Sequence, residues 1–118
     1  MRNHIVTHNG AVGMVVEQQK SFRAVADPTR RAIIGLLARH EMNAGAVADH
    51  FTISRPAVAK HLRILRDGGF VGVRRSGRQR IHRLRAEGLR ALADWVGHYE
   101  QFWNERLAVL KREVEENK

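Results

Sequence analysis

Cysteine is absent from this sequence, and its absence excludes disulfides and thiolate metal sites outright. It also fits a reducing compartment. No apolar run is long enough to span a bilayer. The first residues carry Arg2, His4 and His8 but no apolar core of signal-peptide length, so the expected location is cytoplasmic, with no membrane partner. There is one tyrosine, and the seven histidines are scattered along the chain. No nucleophile elbow, phosphate loop or His-Glu metal motif is present, so the residues suggest neither an enzyme nor a cofactor. Acidic residues are also scarce where it matters. Between Ser54 and Arg85 the one acid is Asp67, against Arg55, Lys60, Arg63, Arg66, Arg74, Arg75, Arg78, Arg80, Arg83 and Arg85.

What is present is positive charge on a short chain. The 118 residues fit one small domain, and the formal net charge of +9 favours a polyanionic partner, nucleic acid first and an anionic surface second. Because the charge is concentrated in one segment, it reads as an interface.

The pattern along the chain divides as follows. Residues 1–16 show no clear period and read as a flexible tail; Met14, followed by Val15-Val16-Glu17, reads as an alternative start. The domain proper is expected over residues 17–115. Glu17 to Ala26 reads as a helix with Phe22, Val25 and Ala26 on its apolar face. Asp27 caps the next helix and Pro28 suits its first position; that helix runs to about Arg39. Asn43 caps a short third helix, Ala44 to His50. Ser54 caps a fourth, which ends near Asp67 with Gly68-Gly69 as its stop. The period then changes: Phe70, Val71 and Val73 are strand formers, Ser76-Gly77 a turn, and Gln79 to Leu84 a second strand. Residues 86–115 read as one long helix, with Leu89, Leu92, Val96, Tyr99, Trp103, Leu107, Leu110 and Val114 at spacings of three and four. Trp95 and Phe102 widen that stripe beyond what a small domain needs, so a second subunit is expected to cover it.

Two short helices joined by a tight turn and followed by a hairpin make a winged helix-turn-helix. The expected fold is mainly α with a small β-hairpin and a long C-terminal dimerisation helix. On the fourth helix Val58, Leu62 and Leu65 form the buried stripe. Ser54, Arg55, Pro56, Ala57, Ala59 and Lys60 fall on the exposed N-terminal half that reads base edges in a major groove. Arg or Lys reaches the paired acceptors of guanine; Pro and Ala meet a thymine methyl. Arg63 and Arg66 lie further along, at phosphate. His61 buttresses the helix or meets phosphate. Arg74, Arg75, Arg78 and Arg80 on the hairpin grip the backbone or enter the minor groove. The competing reading, a non-specific architectural or RNA-binding protein, shares the charge but gives no reason for the capped motif, and the aromatics do not form a stacking platform.

Asp27-Pro28-Thr29-Arg30, then Ser54-x-x-x-Val58-x-x-His61-Leu62-x-x-Leu65, then Gly69-Phe70-Val71-x-x-Arg74-Arg75-x-Gly77-Arg78, together resemble the ArsR/SmtB-type winged-helix repressors over about residues 17–115. The resemblance implies a homodimer joined by the first and last helices, which adds Phe22 to the interface residues Leu89, Leu92, Trp95, Val96, Tyr99, Phe102, Trp103, Leu107 and Leu110. It also implies a palindromic double-stranded DNA operator and repression, often of the protein's own operon. Metal-sensing members carry a Cys-x-Cys type element where this chain has Met42-Asn43-Ala44-Gly45. Asp94 and His98 are one turn apart on the last helix and could give two ligands, but the other half of such a site is missing, and no metal is expected. The chain is closer to the metal-independent members. Trp95, Tyr99, Phe102 and Trp103 read as a dimer core; the alternative is an aromatic pocket for a small-molecule effector, whose identity the sequence does not supply.

Overall fold

A computed structural model describes residues 9–116, with side chains at 18–100, 102 and 104–116. Its elements run α1 (Asn9–Ala26), α2 (Pro28–Arg39), β1 (Met42–Asn43), α3 (Ala44–Ala48), α4 (Arg55–Asp67), β2 (Val71–Ser76), β3 (Gln79–Leu84), α5 (Ala86–His98) and α6 (Glu100–Glu116).

The capping residues set the boundaries. Asp27 accepts from the Arg30 backbone N–H at 3.0 Å, Asn43 from that of Ala46 at 2.8 Å and Ser54 from that of Ala57 at 3.2 Å. Each bond satisfies a first-turn donor that has no helical partner. Pro28 and Pro56 stand where a missing N–H costs nothing. Helix α4 stops at Gly68, and Gly69 takes φ 87°, a left-handed conformation that glycine adopts without a Cβ clash. Phe70 then bonds back to the Leu65 carbonyl.

The stripe Val58, Leu62 and Leu65 is buried and meets Ala24 of α1, Ile33 and Leu37 of α2, Val47 and Ala48 of α3, and Phe70 and Val71 at the start of the hairpin. The exit from the hairpin is tied down as well: the Arg85 N–H donates to the Phe70 carbonyl at 2.8 Å. A Cβ at Gly88 would run into the Gly69 carbonyl, so glycine lets α5 start hard against the end of α4.

The structure differs from the sequence-based expectations in four places. Helix α1 begins at Asn9, inside the stretch expected to be a loose tail; extending an established helix adds one bond per residue and needs no new nucleus. Residues 1–8, the rest of the expected tail, lie outside the described residues. Helix α3 is two residues shorter than expected and ends at Ala48. The sheet has a third strand: the two-residue β1 pairs antiparallel with β3, Met42 opposite His82 and Asn43 opposite Ile81. A strand this short has too few residues to show a period. The expected single helix over 86–115 is broken at Tyr99, whose φ −102° and ψ 2° are not helical and whose N–H bonds Val96 three residues back. Gly97 weakens the helix next to the break.

Candidate nucleic-acid interface

Burying Val58, Leu62 and Leu65 fixes how α4 is rotated, and that rotation leaves Ser54, Arg55, Pro56, Ala59, Lys60 and Arg63 exposed; Ala57 is half-buried. Pro56 and Ala59 keep the surface between the cations shallow. Among the described residues, the ionic partner of Arg55 is a weak one: Nη2 lies 3.9 Å from an Asp49 oxygen, with both side chains more than two-thirds exposed.

The wing is the β2–β3 hairpin, closed at Gly77, whose φ of 63° again suits glycine. Side chains opposite one another in an antiparallel pair share a face. Arg75 is opposite Arg80, two like charges that repel and that a polyanion would relieve. Arg80 and His82, two residues apart, are on the same face.

Between α4 and this face of the wing lies a groove of about 670 Å³, lined among others by Lys60, Arg63, Arg66, Arg78, Arg80 and His82, and by no carboxylate. The walls are lysine and arginine side chains, and the floor includes the buried His82. Burial holds His82 below the ordinary histidine value, and Arg66 and Arg80 push it further the same way, so its ring is neutral at the bottom of a cationic cleft. Its Nδ1 is buried without a hydrogen-bond partner.

Two residues expected at DNA are placed elsewhere. Arg74 lies on the other face of the wing, where Nε and Nη2 donate to one Glu41 oxygen at 3.1 and 2.9 Å. His61 points inward. Its side chain is 19% exposed, with Nδ1 4.0 Å from Asp27 Oδ2 and 3.2 Å from Arg30 Nη1. A guanidinium only donates, so in this bond Nδ1 is unprotonated. This fits the buttressing role rather than the phosphate contact.

Arg30 itself was not anticipated. It is buried, and donates through Nε to the Ala24 carbonyl at 2.8 Å and through Nη2 to the Arg23 carbonyl at 2.7 Å. One side chain thereby joins the end of α1, the first turn of α2 and the middle of α4. Asp27 completes the group; the Arg30 backbone N–H holds its carboxyl below the usual range against the opposing effect of burial, with smaller help from the Arg30 charge. Its sequence signal was the Asp27-to-Arg30 run, but nothing there says that Arg30 turns inward.

The expected interface residues lie on α1, α5 and α6. Phe22 meets Trp95 edge-on with centroids 4.7 Å apart, and Trp95 meets Tyr99 at 5.1 Å. Leu89, Leu92 and Trp95 are half-buried, whereas Val96, Tyr99, Phe102, Leu107 and Leu110 are exposed. The Trp103 side chain lies outside the described residues. Asp94 and His98 are exposed on α5, and among the described residues no three His, Cys, Asp or Glu side chains converge on a metal position. No described helix is long and apolar enough to cross a membrane.

Residues 25–74 match the family model described as a helix-turn-helix domain. The chain is 37% identical over 75 residues to the transcriptional repressor SdpR of Bacillus subtilis (strain 168), covering 64% of this chain and 83% of that one. It is 36% identical over 88 residues to the HTH-type transcriptional regulator Rv2034 of Mycobacterium tuberculosis (strain ATCC 25618 / H37Rv), covering 75% and 79%. A solved structure of an ArsR-like transcriptional regulator from Rhodococcus sp. RHA1 superimposes with a TM-score of 0.71 at 32% identity, over 85% of this chain and 94% of that one.

Proposed function

Because this chain belongs to the ArsR family of winged helix-turn-helix regulators, we propose that it is a homodimeric repressor that binds a palindromic operator, in front of its own or a neighbouring operon. Helix α4 enters the major groove, with Arg55, Pro56, Ala59 and Lys60 at the base edges. Arg63, Arg66, Arg75, Arg78 and Arg80 hold the sugar-phosphate backbone on either side.

The observation that carries this reading is the groove between α4 and the wing. Lys60, Arg63, Arg66, Arg78 and Arg80 line it with no carboxylate among them, and it is open along the exposed face of a capped helix. A phosphate strand lying there would pass from helix to wing without leaving positive potential. The exposed apolar strip on α5 and α6 supports the dimer, since a patch of that kind on a small domain marks an interaction surface.

Footprinting on the protein's own promoter tests the proposal. Protection of an imperfect palindrome, with half-sites about one helical turn or a small multiple apart, is the expected outcome. Uniform protection of unrelated DNA would overturn it in favour of non-specific binding.

A further inference from the structure

Helix α1 carries Phe22, which meets Trp95 of α5 edge-on, and its C-terminal part is bonded to the reading helix α4 at two points. The first is the end of α4. There the Ser21 hydroxyl donates to the Gly68 carbonyl at 3.3 Å, and a Cβ at Gly68 would come within 2.9 Å of the Ala24 Cβ. The second is the middle of α4, and it runs through one side chain. Arg30 holds the Arg23 and Ala24 carbonyls of α1 through Nη2 and Nε, and reaches Nδ1 of His61 on α4 through Nη1 at 3.2 Å. The two carbonyls it holds follow Phe22 directly in the chain.

His61 lies about 10 Å along the helix from Gly68, and Arg55 about 20 Å, at 1.5 Å per residue. A helix held only at its end would swing about that end, and the swing would be largest where Arg55 and Lys60 stand. The contact at His61 opposes that swing. Burial of Val58, Leu62 and Leu65 sets which face of α4 turns inward, but hydrophobic attraction is non-directional. Bonds from one planar guanidinium to three acceptors fix direction and distance. Replacing buried ionic groups by apolar ones of similar volume often costs no stability; what the Arg30 bonds add is a defined position.

We propose that Arg30 is a positioning residue for operator recognition: through His61 it locks α4 to α1, and so fixes the separation and angle of the two reading helices that a dimer presents to a palindrome. This rests on the dimeric repressor reading above and deepens it, since the tie sets which spacing between half-sites the protein accepts.

His61→Leu removes the acceptor, whereas His61→Gln keeps one, because an amide oxygen accepts from a guanidinium. Both are made in the full chain. Each is titrated against the footprinted palindrome, a single half-site, and palindromes with one base pair added or removed between the half-sites. One base pair shifts a half-site by about 3.4 Å and turns it by about 35°. The wild type is expected to lose at least about tenfold in affinity on either spacing change. His61→Leu is expected to bind the native palindrome about tenfold more weakly, to bind the half-site as the wild type does, and to distinguish the three spacings less than about threefold. His61→Gln is expected to restore the spacing preference. Unchanged spacing preference in His61→Leu would overturn the proposal. So would an equal loss on half-site and palindrome, which marks a purely local structural role, or a Gln variant that behaves like Leu. Should His61→Leu fail to fold, Arg30→Lys, which keeps the charge but cannot serve three acceptors, is expected to show the same loss of spacing preference; failure of both to fold would overturn the proposal in favour of a purely structural role. A wild type that binds half-site and palindrome alike, whatever the spacing, would instead overturn the dimeric reading beneath it.

Discussion

Arg30 and His82 are buried polar residues with opposite electrostatic situations. The Arg30 guanidinium is tolerated in the interior because two backbone carbonyls and a histidine nitrogen receive its donors; burying a charged group costs far less when it is hydrogen-bonded. His82 has an unpartnered Nδ1 and stays neutral, because burial, followed by Arg66 and Arg80, disfavours its proton. A base with a depressed folded pKa leaves the unfolded chain binding more protons. Stability is therefore full above the ordinary histidine value of 6.5 and is lost as the pH falls below it. From pH 7.5 to 5.5 this residue should cost at most about 1.4 kcal/mol, the limit set by one pH unit below the unfolded value. Urea midpoints at the two pH values check this, and the difference should shrink in His82→Phe. Asp27 does not contribute in that window: its lowered pKa supplies stability that is lost only as the pH falls below the ordinary carboxylate value. Neither burial was legible in the sequence, where a histidine alternating with arginines and an arginine after a proline both look like surface residues.

The elements were far more legible, because each carries its own punctuation. Asp27-Pro28, Asn43 and Ser54 were readable as caps from residue type and spacing alone, and all three accept the bonds that their positions imply. The direction of the α4 face followed from the spacing of Val58, Leu62 and Leu65. The wing was legible as a hairpin but not in how it divides its arginines, since alternation needs the register, and the register is fixed by the two-residue turn after Ser76. The division of labour between helix and wing leads to a pair of expected outcomes in operator titrations. Arg55→Ala or Lys60→Ala should lower the preference for operator over random DNA by about 1–3 kcal/mol. Arg78→Ala should weaken both alike and reduce the salt slope by about one ion. Arg74→Ala should change neither strongly, because that side chain is engaged with Glu41 on the opposite face.

At the scale of the whole molecule, the chain extends 64 Å along its longest axis, and the apolar residues beyond Leu92 have little of their own domain to cover them. Val96, 54% exposed, is a suitable probe because it contributes to no described core cluster. Val96→Asp should leave the monomer folded and shift its sedimentation from dimer to monomer. Affinity for the full palindrome should fall at least about tenfold while a single half-site is still bound, since two linked reading heads gain from effective concentration and one does not.

The sequence by itself determined the winged helix-turn-helix, the rotation of its reading helix and the cationic segment, because caps, helical periodicity and net charge act locally and survive as patterns in the chain. Only the tertiary structure decided which arginines share a groove, that His61 and Arg30 face inward, that β1 joins the sheet and that the last helix breaks at Tyr99. Those outcomes depend on which surfaces meet across long stretches of sequence, where packing and strand register outweigh the local preference of any single residue.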